Sequence, residues 1–313
     1  MKTNFFVMFF LISNIIAGYC GGLNESDMVN LQEIELEDID SIEVAYSWEN
    51  IKLFESNDDK LIIKEYMSKD DSKYYARISH SGNKILVEKG RRPFGIGTGI
   101  LFNVFNARVE VYIPASYTRK IAIETTSGKI ESEGEFFVSE VNIKSSSGNI
   151  FANTITADAV NLRASSGDIR GGTINGNTNI HTGSGNIIFD NLSGDVSAKA
   201  SSGRIVLKCV TGNVTAETTS GNIRCAVTET AGDIALTASS GGITLELPRN
   251  HHFNFSARTS AGHISTPFSD KLFSPLSDRH LVQGVIGNET ASNNNPDINI
   301  RTKAGSIKID WVN

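Results

Sequence analysis

The sequence is short of positive charge. Its 313 residues carry 29 Lys and Arg against 35 Asp and Glu, which gives a net charge of −6 at pH 7. Because proteins bind phosphate backbones through clustered Lys and Arg, this balance excludes nucleic acid as the main partner. It equally disfavours an anionic membrane surface. The hydrophobic content of 39% is nevertheless enough for a core in which each repeated unit buries a narrow strip.

Metal-binding motifs are also lacking. The acidic segment 25–59 has no Asp-x-Asp-x-Asp-Gly loop, so we interpret it as a solvated strand face, with a calcium site as the alternative. His251, His252 and His263 lack a further ligand at fixed spacing, which favours exposed loop histidines over a zinc site. The sequence therefore predicts no metal site and no cofactor.

No catalytic constellation is present either. Asp168, Asp195 and Asp233 each follow a repeated glycine, where an exposed row of carboxylates would suit a polysaccharide hydrolase or lyase. Asn, Lys and Arg occupy the equivalent positions elsewhere, so no acidic row forms. We interpret these aspartates as turn-forming residues and the protein as a non-enzyme.

The N-terminus has the pattern of an export signal. Lys2 precedes an apolar run at 5–12 that is too short for a membrane span, which needs about 20 apolar residues. Cys20 follows, preceded by Tyr19 where a lipoprotein signal has a small residue, so Cys20 is a candidate lipidation site and ordinary cleavage is the alternative. The predicted location is extracytoplasmic, with a lipid anchor as the sole route of membrane attachment.

The strongest signal is an internal repeat of the form Ser-Gly-x-Ile. From 167 to 221 a glycine recurs every nine residues, and the Ser-Ser-Gly form recurs about every eighteen. Apolar and polar residues alternate between the glycines, which indicates strands, and glycine permits positive φ at each bend. The predicted turn glycines are Gly128, Gly148, Gly167, Gly185, Gly203, Gly221 and Gly241.

This spacing predicts an all-β protein, a β-solenoid of two-strand coils with about 18–20 residues per coil. A β-sandwich of short strands is the alternative. The chain is predicted to comprise an export signal at 1–20, an N-terminal β cap region at 21–120, the Ser-Gly repeat solenoid at 121–248, and C-terminal coils at 249–313 with an irregular loop at 265–296.

Two cysteines lie inside the repeat. Cys209 and Cys225 follow repeat glycines at even offsets, which predicts side chains that point into the core. Their registers differ by two residues on neighbouring coils, so their Cα atoms are expected about 8 Å apart, beyond the reach of a disulfide. We predict two buried free thiols.

The segment 91–102 combines basic, glycine and large apolar residues. It is not a phosphate-binding loop, because no Lys-Ser or Lys-Thr follows its glycines. The functional hypothesis is a loop that contacts a partner, and the alternative is a hairpin tip without that role. The candidate contact residues are Phe94, Ile96, Ile100, Leu101 and Phe102.

Three features together resemble a known family. They are the segment 109–114 that runs into 121–128, the repeat array, and the closing run 298–307. They are similar to the bacterial putative-adhesin family with Ser-Gly-[Asn/Asp]-[Ile/Val] β-strand repeats, over roughly residues 33–310. The resemblance implies an extracytoplasmic, β-solenoid-like domain with an adhesive role, and it supplies no catalytic residues.

The sequence as a whole predicts an exported, non-catalytic interaction module of the cell envelope or surface. Its expected partner is a protein or glycan, because rigid polar corners suit either ligand. A structural envelope scaffold that self-assembles is one alternative, and a carbohydrate-active β-helix enzyme is the other.

Overall fold

The computed structural model describes residues 27–92, 105–228, 232–249, 252–268, 280–286 and 295–312. The strands in these ranges join into one continuous sheet, and a short 3₁₀ turn lies at Ser72–Tyr74. No helix in the described part of the chain is long and apolar enough to cross a membrane.

The strands, numbered in chain order, are β1 (Asp27–Glu35), β2 (Ser41–Ala45), β3 (Asn50–Ser56), β4 (Lys60–Met67), β5 (Arg77–Ser81), β6 (Lys84–Glu88), β7 (Ala107–Pro114), β8 (Lys120–Thr125), β9 (Ile130–Ser145), β10 (Ile150–Ala164), β11 (Ile169–Thr182) and β12 (Ile187–Ser193). The remaining strands are β13 (Val196–Ser202), β14 (Ile205–Thr211), β15 (Val214–Ser220), β16 (Ile223–Val227), β17 (Ile234–Ser240), β18 (Ile243–Leu247), β19 (Phe253–Ala261), β20 (Ile264–Ser265), β21 (Leu281–Ile286), β22 (Asp297–Ala304) and β23 (Ile307–Trp311).

Two parallel ladders form the body of the protein. In ladder A, Ile169 pairs with Ile187 and Ile223 pairs with Ile243, so a coil contains 18 to 20 residues. In ladder B, Val196 pairs with Val214 in the other half of each coil. The predicted β-solenoid with two half-turns per coil is confirmed, and coil-on-coil parallel stacking rules out the β-sandwich.

The two ladders share the core between them. Strands β9, β10 and β11 run through both ladders, whereas later coils divide into one strand per ladder. Ladder A then continues through β12, β14, β16, β18, β23 and β20, and ladder B through β13, β15, β17, β22 and β19. The inward Ile, Val, Leu and Ala side chains stack in register along this axis and form one buried cluster.

The burial pattern in ladder A breaks the simple alternation. Ile205, Leu207 and Val210 are buried, so the third inward residue comes three positions after the second, where the register also shifts. Cys209 is consequently half-exposed, and the prediction that it points into the core is wrong. Cys225 is buried, burial raises the pKa of its thiol to about 12, and both cysteines are free.

Close stacking explains most of the glycines at the Ser-Gly corners. A Cβ atom on Gly148 would lie 1.8 Å from the carbonyl oxygen of Gly128, and one on Gly203 would lie 1.9 Å from that of Gly185. Among the seven predicted turn glycines, positive φ occurs at Gly221 and Gly241 alone. The sequence interpretation based on positive φ is therefore wrong for the other five, where the neighbouring coil leaves no room for a side chain.

The Asn and Asp residues of the corners have a role that the sequence interpretation missed. The Asn149 side-chain oxygen accepts a hydrogen bond from the Asp168 backbone N–H at 2.9 Å, and the Asp168 carboxylate accepts one from the Asn186 N–H at 2.7 Å. At the opposite corner, the Asn213 side-chain oxygen accepts a hydrogen bond from the Asp233 backbone N–H at 2.8 Å. The corners that carry Asn or Asp therefore cap the backbone of the next coil along the solenoid.

These caps also favour an ionised carboxylate. Partial burial acts to raise the pKa of Asp168, but the Asn186 N–H and the Arg170 guanidinium hold it below its usual value. Hydrogen bonds to the charged form stabilise that form. Asp and Asn are thus interchangeable at the corner because both present an acceptor oxygen.

Both ends of the solenoid are interleaved. The first coil in the sequence, β2 and β3, lies inside the stack, between β6 and β8 in ladder B and between β7 and β9 in ladder A. The last coil, β22 and β23, likewise lies inside β19 and β20. Neither of these coils can therefore separate without breaking ladders on two sides.

Antiparallel strands cover the ends. Strand β1 lies against β4 and β4 against β7, while β5 lies against β6 and β21 against β19. Strand β21 falls within 265–296, so that segment is not irregular throughout, in contrast to its prediction as a loop. Coverage of this kind shields the parallel ladders from further pairing.

Candidate binding faces of the solenoid

Several candidates from the sequence lie outside the described residues. They are Cys20 and the five loop residues Phe94, Ile96, Ile100, Leu101 and Phe102. The lipidation and partner-contact hypotheses therefore remain predictions. The chain on either side of the loop is well packed: Arg92 is buried, and Phe105 forms edge-on ring contacts with Trp48 and Tyr74.

Arg92 holds two buried carboxylates. Its guanidinium lies 2.8 Å from Glu49 and also contacts Glu65, and all three side chains have 0% exposure. The remaining Glu65 contacts come from the Asn30 amide and the Ala76 backbone N–H, each at 2.7 Å, and from the Tyr46 hydroxyl at 3.0 Å. Burial, together with the Glu65 charge, raises the pKa of Tyr46 well above its usual value.

This cluster corrects the interpretation of segment 25–59 as a solvated face throughout. Glu49 belongs to that segment but is buried, because Arg92 reaches it from 43 residues further along the chain. The other Glu49 oxygen accepts the backbone N–H groups of Ser47 and Trp48, each at 2.9 Å. The acceptors are thus occupied, and the cluster holds strands together rather than presenting a site.

The exposed acidic residues of the segment do follow the prediction. Glu35 lies 2.9 Å from Lys60, and Glu43 lies 2.5 Å from Lys84, both on exposed strand faces. The described residues hold no group of three or more His, Cys, Asp or Glu side chains arranged for a metal ion. His263 lies 3.0 Å from the Ser306 hydroxyl, and His251 lies outside the described ranges.

The outer face of ladder A has its charges neutralised. Phe151, Ile188 and Val206 add apolar side chains to this face, with Phe151 42% exposed. Each of five cations on it contacts a carboxylate: Lys52 with Glu133, Arg170 with Asp168, Lys208 with Asp190, Arg224 with Glu246, and Lys308 with Asp310.

The outer face of ladder B differs in charge. Its cationic row consists of exposed residues that are in register from strand to strand: Lys144, Arg163, His181, Lys199, Arg301 and Arg258, with Glu217 and Thr237 between Lys199 and Arg301. A polar row runs beside it: Asn142, Asn161, Asn179, Ser197, Thr215, Asn299 and Ser256, with Ala235 between Thr215 and Asn299.

The centre of the cationic row is not neutralised. Lys144 contacts Glu124 at 2.7 Å and Lys199 contacts Glu217 at 3.0 Å, so the outer two of the first four residues in the row have a carboxylate partner. Between them, Arg163 and His181 have no ion pair or side-chain hydrogen bond with any described residue. Positive charge is therefore available to a ligand at the middle of the face.

A shallow depression of about 320 Å³ lies at the far end of the polar row. Asn254, Ser256, Gln283 and Asn299 are among its lining residues, so amides and hydroxyls dominate its polar surface. The flat rows and the open depression are suited to an extended ligand rather than to one enclosed on all sides.

Sequence reasoning missed the cationic row, although a signal for it exists. Lys144, Arg163, His181 and Lys199 each lie four residues before a corner glycine, as Arg301 and Arg258 also do. The equivalence becomes visible once the coils are aligned on their Ser-Gly or Ala-Gly corners, since residues at the same offset then stack.

The fold and the match of the chain to a family model agree. The architecture defines a β-solenoid-like protein. Residues 39–310 match the model of the family described as Toastrack DUF4097, and the chain belongs to this family. No curated protein sequence matches the chain.

Three solved structures are similar to this chain at low sequence identity. A putative adhesin from Bacteroides fragilis is 16% identical with a TM-score of 0.46, covering 93% of this chain and 100% of that one. A putative adhesin from Parabacteroides distasonis is 17% identical with a TM-score of 0.45, covering 70% and 96%. A putative cell adhesion protein from Clostridium sporogenes is 10% identical with a TM-score of 0.30, covering 90% and 98%.

Proposed function

We propose that this protein is a non-catalytic binding module of the cell envelope or cell surface, of the adhesin type. Its ligand lies along the outer face of ladder B. The observation that carries the proposal is the unpaired Arg163 at the centre of the cationic row, beside His181 and a row of polar side chains. The proposal includes export, which the N-terminal signal pattern supports.

A solenoid face suits this role because its side chains are held in place before the ligand arrives. The inward neighbours of the cationic row, such as Leu162, Ile180 and Ala198, are buried in the shared core. Backbone pairing on both sides fixes the spacing of the exposed residues between them. Preorganised side chains lose less conformational entropy on binding, which increases affinity.

Site-specific crosslinking in a binding assay tests the proposal. A photoreactive residue replaces Asn179 in the polar row of ladder B, and a matched control carries it at Ile188 on ladder A. The full-length protein is exposed to panels of glycans, matrix proteins and envelope extracts. We expect saturable binding of a panel component, with crosslinks from position 179 and few from position 188.

Two results contradict the proposal. One is crosslinking that is equal at both positions or confined to position 188, because the ligand would then lie elsewhere. The other is the absence of saturable binding to every panel component by a sample whose far-UV circular dichroism shows folded β structure.

A further inference from the structure

Two cations of the row are direct cross-strand neighbours without a carboxylate partner. Arg258 and Arg301 have no ion pair with any described residue, and like charges in that position destabilise a sheet. Cations on ladder A instead contact carboxylates, as Lys208 and Arg224 do. Natural sequences break local rules of this kind mainly at functional sites, so the uncompensated charge points to a ligand that supplies the missing anions.

We infer that the ladder B face binds a linear acidic polysaccharide, one whose sugars carry carboxylate or sulfate groups. The anionic groups contact the cationic row, and the sugar hydroxyls contact the polar row beside it. This inference rests on the proposed function and names the class of ligand for the same face.

The dimensions of the face favour a polymer. Seven strand steps separate Lys144 from Arg258 along the row, which corresponds to about 34 Å at the usual spacing of strands. The cations fall into two groups on this line, the first around Arg163 and the second at Arg301 and Arg258. A compact ligand could contact one group, whereas an extended chain reaches both.

The chemistry of the face favours a polysaccharide over other polyanions. The two rows contain no Phe, Tyr or Trp on which a nucleic acid base could stack, and no large apolar side chain that could enter a bilayer. Amide and hydroxyl groups beside each cation match a polymer that carries hydroxyls next to its anions.

The test uses the purified full-length protein and defined polymers. The probes are dextran sulfate, polygalacturonate and neutral dextran, with duplex DNA and phosphatidylserine vesicles as competing classes. We expect the two acidic polysaccharides to bind, with affinity falling as salt rises, and neutral dextran not to bind. Electrostatic contacts between exposed groups are screened by salt, which explains this dependence.

Matched charge reversals locate the binding face. Arg163→Glu should weaken binding of the acidic polysaccharides about tenfold, which corresponds to about 1.4 kcal/mol. Arg170→Glu makes the same charge change on ladder A and should leave the affinity within about twofold. Arg163→Lys should retain most of the binding, and Arg301→Glu provides a second charge reversal on the same row if Arg163→Glu unfolds the protein.

Each other outcome overturns the inference. An equal loss of affinity from Arg163→Glu and Arg170→Glu would show that the polysaccharide does not bind specifically on the ladder B face. Binding of neutral dextran would show that anionic groups are not required. Preference for duplex DNA or vesicles assigns the face to another class of ligand. If no acidic polysaccharide binds while position 179 still crosslinks to another ligand, the inference fails and the proposed function stands. Both fail if no ligand crosslinks there.

Discussion

The repeat coils and the N-terminal coils are held together in different ways. Between β10 and β18, each coil contacts the next through parallel backbone pairing and through corner side chains 18 to 20 residues apart in sequence. Between β1 and β8, strands of both directions meet around the buried cluster of Arg92, Glu49 and Glu65. Repetition thus distributes stability over many similar contacts, whereas the N-terminal end depends on one set of charges.

The difference predicts unequal sensitivity to substitution. A buried charge that loses its partner carries the full cost of its desolvation, because no water replaces the lost contact. A repeat corner that loses one hydrogen bond still has the backbone ladder on both sides. Substitutions in the two regions should therefore differ in magnitude.

The largest effect is expected from Arg92→Met. This variant leaves Glu49 and Glu65 buried without their cation, so unfolding should become easier by about 3–5 kcal/mol. Urea unfolding followed by tryptophan fluorescence, to which Trp48 beside the cluster and Trp311 both contribute, measures the loss.

Arg119→Met is the matched control for this variant. Arg119 contacts Asp40 in an ion pair whose side chains are 58% and 49% exposed. Exposed pairs contribute little, so the change should stay within about 1 kcal/mol. Similar losses from the two variants would show that burial of the Arg92 cluster does not stabilise the N-terminal coils.

A smaller effect is expected from Gly241→Ala in the repeat region. The new Cβ would lie 1.9 Å from the carbonyl oxygen of Gly221, and the residue has φ of +147°. Separating the two coils enough to accommodate the methyl group should cost about 2–3 kcal/mol, measured as a lower urea midpoint.

The adjacent Gly242→Ala provides a close control. Its Cβ would meet its nearest neighbour, the Ser306 oxygen, at 3.4 Å, which is ordinary contact. We expect a change within about 1 kcal/mol, since the substitution mainly alters the unfolded chain. If the two alanine variants are equally stable, steric stacking is not the reason for glycine at the corner.

The same contrast explains what the sequence could predict. The solenoid, its coil length and the positions of corner glycines follow from a short repeat, because equivalent residues recur at a fixed spacing. The partnership of Arg92 with Glu49 has no such periodicity, since it joins residues 43 positions apart in a region of strands of both directions. The interleaving of the coils at each end could not be predicted either, because the spatial order of these coils differs from their order in the sequence.

The candidate site was partly accessible from the sequence. Lys144, Arg163, His181 and Lys199 share an offset from the corner glycine, so their stacking could be read from the aligned repeat. The sequence could not show which of these side chains lack a carboxylate partner, because that depends on where Glu124 and Glu217 lie in the ladder. The half-exposed Cys209 was missed through a local register shift that alternation alone does not reveal.

The smallest change in the free energy of unfolding is expected from Asn213→Ala, a substitution within the repeat coils. Asn213 caps the Asp233 N–H at 2.8 Å and donates to the Asp195 carboxylate at 2.8 Å, so its loss should cost about 1 kcal/mol. Asn191→Ala removes a single exposed bond to Thr173, 3.2 Å long, and should cost less than about 0.5 kcal/mol. Urea unfolding measures both losses, and hydrogen exchange at the Asp233 amide should quicken in the first variant alone. Unchanged exchange there would mean that the backbone ladder, without the corner side chains, holds successive coils together.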